Sequence, residues 1–248
     1  MDDELEKYKE DVIEKDGITK PYCKNEKNVK AIVLGCDPSV PKINKLPKDE
    51  YLSVVFAIGK ENDDVVKHAY GYRANFWSKI KTNLDILELS EDCLYIDNLC
   101  RIPLKEETSR YFNGKYSALV KAPMENEKIN KRKKSKEMRY NDLKETNQLV
   151  KISMDYINIL KKNLDSKFNC KIPVFITSQY LLLPLINEDK LDKIMNADKY
   201  YEDNGIFINP DENKLERTII PLFRHSKYKL SKFKLYSNSI MKYLSDIK

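Results

Sequence analysis

Four short apolar runs, separated by stretches with helical periodicity, limit most strongly what this 248-residue chain can fold into. They are residues 29–35 (Val-Lys-Ala-Ile-Val-Leu-Gly), 93–98, 172–177 and 217–223. Such compact runs suit strands buried on both faces, which is the usual state of a parallel sheet. Pro221 cannot donate to a ladder, so the fourth run is expected near a sheet edge or strand end. A further run, 52–58, reads as an edge strand or an extended loop. Helices are expected over 64–84, with Val65, Val66, Ala69, Phe76, Trp77 and Ile80 near one face. Others are expected over 140–165, after residue 177, and over 232–247. Strands alternating with helices call for an α/β fold around a mostly parallel sheet.

Composition bounds this picture. The apolar fraction of 41% and the low counts of 6 Gly and 10 Pro argue against disordered, collagen-like or linker-like classes. The five cysteines (23, 36, 93, 100, 170) are odd in number and lack CxxC spacing. They indicate neither a disulfide framework nor a zinc site, so the expected setting is the reducing cytoplasm. No apolar run approaches the roughly 18 residues needed to span a bilayer. The acidic, helical first residues do not read as a secretory signal.

Charge is unevenly spread. Residues 214–248 carry nine Lys or Arg against two acids, a local +7, within a chain whose net charge is +6. Residues 121–139 carry eight basic residues against three acids, a local +5. The remainder is therefore acidic. Two basic blocks on an otherwise acidic chain suit a polyanion partner, or simply solvate helix faces. The 121–139 block is low in complexity and reads as a basic insertion loop within one domain.

In open α/β sheets, ligands bind outside the carboxyl ends of the strands. After the first run comes Gly35-Cys36-Asp37-Pro38-Ser39; a carboxylate at a strand end can act as a base or stabilise positive charge, or merely start a turn. After the second come Asp97 and Asn98, whose planar amide could read a base edge or satisfy its own backbone. After the fourth comes Phe223-Arg224-His225-Ser226-Lys227-Tyr228-Lys229. His225 is one of two histidines, and its basic neighbours suit an anionic ligand. His68, within a helix, reads as structural.

Taken in order, Gly35-Cys36-Asp37-Pro38, Val55-Phe56, Tyr95-Ile96-Asp97-Asn98 and Arg224-His225-Ser226 resemble the uracil-DNA glycosylase superfamily, from about residue 29 to the end of the chain. The resemblance implies a single domain over 1–248, built as a three-layer α/β sandwich with a central, mostly parallel four-stranded sheet. It implies a monomer that binds single- or double-stranded DNA, extrudes uracil or another damaged base, and hydrolyses its N-glycosidic bond with neither metal nor cofactor. In these terms Asp37 would position water and stabilise the sugar cation, and His225 would hydrogen-bond the base carbonyl. Phe56 would stack on the base, Asn98 would read its edge, and Ser39 would line the pocket. Arg224, Ser226, Lys227, Tyr228 and Lys229 would contact DNA, with Tyr228 or Leu230 as a wedge. The chain departs from the family pattern in five places: Ser39 stands where many relatives have Tyr, Cys36 where they have Gln or Glu, Lys227 follows His225-Ser226 without the usual Pro, an insertion carrying Pro41 and Pro47 separates Asp37 from Phe56, and the basic 121–139 segment has no family counterpart. Two other readings are a non-catalytic nucleic-acid-binding protein of the same fold, and a metal-assisted phosphohydrolase using Asp37 with Asp97.

Overall fold

The structure, a computed structural model, describes residues 20–36, 55–60, 63–70, 75–101, 118–124, 134–146 and 148–247. The protein is α/β. Its five-stranded mixed sheet contains β1 (Tyr22–Cys23), β2 (Ala31–Gly35), β3 (Leu94–Asn98), β4 (Val174–Ile176) and β5 (Ile219–Pro221), in the order β1-β3-β2-β4-β5. The four strands expected from the apolar runs are all parallel neighbours. The expected count of four misses β1, which adds antiparallel to β3; two residues are too few for a period-2 pattern to emerge.

Every residue of β2, β3, β4 and β5 is buried. Unbroken burial explains why these strands read as continuous apolar runs rather than as alternations. Pro221 ends the edge strand β5, where its missing N–H breaks no inner ladder, and its carbonyl accepts a 2.8 Å hydrogen bond from the Tyr236 hydroxyl.

The helices are α1 (Asp64–Tyr70), α2 (Phe76–Ile86), α3 (Lys136–Thr146), α4 (Gln148–Lys167), the single turn α5 (Leu182–Leu185) and α6 (Lys234–Asp246). The single helix expected over 64–84 is thus two separate helices. Val65 on α1 is 53% exposed, while Trp77, Ile80 and Leu84 of α2 pack in the core. The single helix expected over 140–165 is likewise two, α3 and α4, the first starting at Lys136 within the segment read as an insertion loop. There the Lys136 ammonium is buried and donates to the Ile194 carbonyl. Residues 125–133 of that segment lie outside the described residues. After β4 the chain runs through short 3-10 turns rather than a long helix. Among the described residues, no helix is long and apolar enough to cross a membrane.

The parallel strands carry their carboxyl ends to one edge. Gly35 pairs with Asn98, Leu34 with Ile176, and Ile176 with Pro221. With strands spaced about 4.8 Å apart, these ends span roughly 15 Å. The chain leaves β2 toward β3 on one side, and leaves β4 toward β5 on the other. The crevice between the ends of β2 and β4 is therefore the topological switch point, where such folds bind ligands.

Candidate functional site

Gly35 is the structural centre of this edge. A Cβ placed on it would lie 2.6 Å from Phe56 Cζ and closer still to Asn98 Oδ1. Only a residue without a side chain lets the aromatic ring and the amide converge here. The structure thereby brings together two of the residues singled out in the sequence, although they lie on separate segments.

Phe56 does not belong to a strand. Residues Val55–Ala57 form a 3-10 turn in which Phe56 (φ 56°) and Ala57 (φ 53°) are both left-handed. Each such non-glycine residue costs about 1–2 kcal/mol. Strain of this kind persists where surrounding packing over-determines it, and Trp77 supplies that packing. Its indole, 1% exposed, stacks against the half-buried Phe56 ring with centroids 6.3 Å apart and planes 24° from parallel.

Asn98 is held from behind. The Asp97 carboxylate accepts from the Asn98 backbone N–H (2.8 Å), from the Tyr95 hydroxyl (3.2 Å), and from Arg101 through Nε (3.0 Å) and the terminal nitrogen (2.5 Å). Asp97 is fully buried, and burial pushes its carboxyl up, against the pull of Arg101. The Arg101 guanidinium is held above its ordinary value by Asp97, outweighing its own burial. With both oxygens engaged, Asp97 supports the strand end rather than offering a carboxylate to a metal, which removes the second ligand from the phosphohydrolase reading. Among the described residues, no group of three or more His, Cys, Asp or Glu is placed to hold a metal ion.

The ends of β4 and β5 complete the edge. Thr177 donates to the Leu34 carbonyl through its N–H (3.1 Å) and its hydroxyl (2.9 Å), and its own carbonyl accepts from the Arg224 N–H (3.1 Å). The late loop is therefore tied through β4 to the end of β2. Its Arg224 guanidinium lies 4.0 Å from the centroid of Phe76, the residue before Trp77. A contact chain thus runs from Asn98 and Gly35 through Phe56 and Trp77 to Arg224. Burial pushes the Tyr180 hydroxyl up, against the Gln179 hydrogen bond and the Arg224 charge. Beside it opens a cavity of about 340 Å³, whose polar lining includes Ser178, Gln179, Tyr180, Arg224, His225 and Lys227.

His225 caps the 3-10 turn Ser226–Tyr228, its Nδ1 accepting from the Lys227 N–H at 3.1 Å. An accepting Nδ1 requires the neutral tautomer protonated on Nε2, leaving an Nε2–H donor on the other side of the exposed ring. Lys227 and Tyr228 are less available than their sequence position suggested. Lys227 pairs with Asp198 at 2.6 Å, and the Tyr228 hydroxyl donates to the same carboxylate at 3.0 Å. Burial, with that hydrogen bond and charge, pushes the Tyr228 hydroxyl up to about 12. Its ring stacks on Tyr201 at 4.8 Å. Leu230 is 0% exposed, so it is a core residue and presents no wedge. Ser226 and Lys229 are exposed. His68 is exposed on α1.

Asp37 and Ser39 lie outside the described residues. Immediately before them, the Cys36 carbonyl accepts from the Cys100 N–H at 2.9 Å, fixing where β2 hands over to that segment. Arg101, Tyr180 and Asp198 carry no mark in the sequence, and Trp77 reads there only as part of a helix's apolar face. The i,i+4 spacing of Asp97 and Arg101 was the one local signal among them; the others act across long sequence separations. A scan of the chain against models of known protein families finds no match, and a search of curated proteins finds no relative.

Proposed function

We propose that this chain is a monomeric, single-domain DNA glycosylase of the three-layer uracil-DNA glycosylase type, hydrolysing the N-glycosidic bond of uracil or another damaged base. The observation that carries the reading is the convergence of the Phe56 ring and the Asn98 amide over Gly35 at the carboxyl ends of β2 and β3. An aromatic face and a planar amide are the two groups needed to hold and read an extruded base.

Heterolysis of the bond leaves a cationic sugar and an anionic base. Asp37, two residues beyond Gly35, is the carboxylate that would stabilise the cation and orient the water that adds to the anomeric carbon. The His225 Nε2–H would donate to the base carbonyl as negative charge builds there; one well-placed donor of this kind is worth about 3–4 kcal/mol. The departing base then takes up a proton, and an abasic sugar remains. Water, a carboxylate and a donor suffice for this balance. Arg224, Ser226 and Lys229 would grip the phosphates on either side, offsetting the few kcal/mol spent on extrusion.

The test is a panel of single-stranded oligonucleotides, each carrying uracil or another modified base, incubated with the protein in EDTA and then treated with alkali. Strand cleavage at the modified position, lost in Asp37→Asn, supports the reading. Salt-sensitive binding without product across the panel sinks it in favour of a non-catalytic binder. Cleavage that disappears with EDTA returns the metal-assisted reading.

A further inference from the structure

Asn83 sits on α2, its side chain buried at 2% exposure, two turns from the residues that face the candidate site. Its Oδ1 accepts from the Leu230 N–H at 2.9 Å, and its Nδ2 donates to the Tyr228 carbonyl at 3.4 Å. One amide thus satisfies two backbone groups of the late loop, 145 and 147 residues away in sequence. Leaving either group buried and unpaired would be costly, so the pair fixes the loop's register against α2.

The same helix holds the other half of the site. Trp77 lies against Phe56, and Phe76 lies under the Arg224 guanidinium. α2 packs on both the 3-10 turn Val55–Ala57 and the 3-10 turn Leu230–Lys232. Residues 76, 77, 80, 83 and 84 share one helical face, and about 9 Å of helix separates Trp77 from Asn83. A rigid element of that length sets the distance between the ring that would stack on a base and the loop that would hold its phosphates.

We propose that Asn83 is a positioning residue, acting through the backbone of residues 228–230 to place the His225 loop against Phe56 for reaction on a nucleic acid strand. This rests on the glycosylase reading for the identity of the reaction, while the clamp itself is independent of it. The position is not catalytic; Asn83 touches only backbone of the loop.

The experiment compares Asn83→Ala with Asn213→Ala. Asn213 is equally buried and also bridges backbone groups, donating to the Asn209 and Arg217 carbonyls, but it does not touch this loop. Both variants lose stability, so measurements are made where each stays folded by circular dichroism. Native-state hydrogen exchange at the Leu230 amide is expected to accelerate tenfold or more in Asn83→Ala and to stay unchanged in Asn213→Ala. Binding of a fluorescein-labelled, uracil-containing single strand is expected to weaken several-fold, and turnover at saturating DNA to fall, in Asn83→Ala alone. Unchanged Leu230 exchange overturns the clamp. Faster exchange with unaltered binding and turnover overturns the positioning role. Wild-type protein that binds DNA without excising the base overturns the glycosylase reading only, and binding then decides Asn83. Wild-type protein that binds no DNA overturns both.

Discussion

Gly35 concentrates the steric demands of the candidate site in one missing side chain. Gly35→Ala needs no unusual backbone angle, yet its methyl would enter the space of Phe56 Cζ and Asn98 Oδ1. Overpacking of this kind costs about 1–3 kcal/mol, and here the groups that must move are those proposed to hold the base. The variant should remain folded, melt lower, and lose at least tenfold in turnover of the modified oligonucleotide; wild-type turnover in Gly35→Ala would remove the pair from the site. Arg101 offers a test at the same scale. Removing it in Arg101→Met leaves Asp97 buried without its counter-charge, which costs about 3–5 kcal/mol. Burial already pushes that carboxyl up, and without Arg101 it rises further. A carboxyl raised in the folded state destabilises when ionised, so the deficit should be largest at neutral pH and shrink as pH falls toward the unfolded value near 4. Urea unfolding at pH 7 and pH 5 measures it, and Asp97→Asn with Arg101→Met should recover most of the loss at pH 7.

At the scale of elements, the late loop is braced on two sides. Asn83 holds its backbone, and Asp198, from the 3-10 turn Ala197–Tyr201, holds Lys227 and Tyr228. The Lys227 hydrogen bond keeps the Asp198 carboxyl below its ordinary range, and the two side chains form an exposed ion pair. Asp198→Asn frees that ammonium for phosphate. Binding to single-stranded DNA should tighten at low salt, and the slope of log K against log salt should steepen by about 0.7, the share of one phosphate contact. An unchanged slope would place Lys227 away from the DNA. This brace also marks where sequence reading runs out. Parallel strands announce themselves as apolar runs because both faces are buried, and the four were legible for that reason. Between 178 and 232 the helical structure is almost all short 3-10 turns, whose few-residue units carry no lasting periodicity. Tyr228 and Leu230 therefore looked like exposed loop residues, while packing on Tyr201 and α2 takes them inward. Phe56 was legible as an aromatic near the site, but its left-handed backbone was not, since a non-glycine residue in that region leaves no local sequence signal.

Across the whole molecule, two basic blocks sit on an otherwise acidic chain, and the fold ties the loop of the carboxyl-terminal block to the sheet edge that also carries Gly35, Asn98 and Thr177. Long-range order of this sort comes from topology: strands distant in sequence become neighbours, and their carboxyl ends share one crevice. The 121–139 block follows a different course, since part of it folds into α3, with Lys136 buried. Cleavage of an N-glycosidic bond at this edge would release a free base. Single-stranded DNA bearing one uracil is incubated with wild-type protein or with Asp37→Asn, and the small-molecule fraction is resolved by chromatography and mass. Free uracil, or the corresponding free base from another modified strand, is expected to accumulate with wild-type protein and to fall at least a hundredfold in Asp37→Asn. Release of no free base from any strand in the panel by folded, DNA-binding protein would contradict the glycosylase reading.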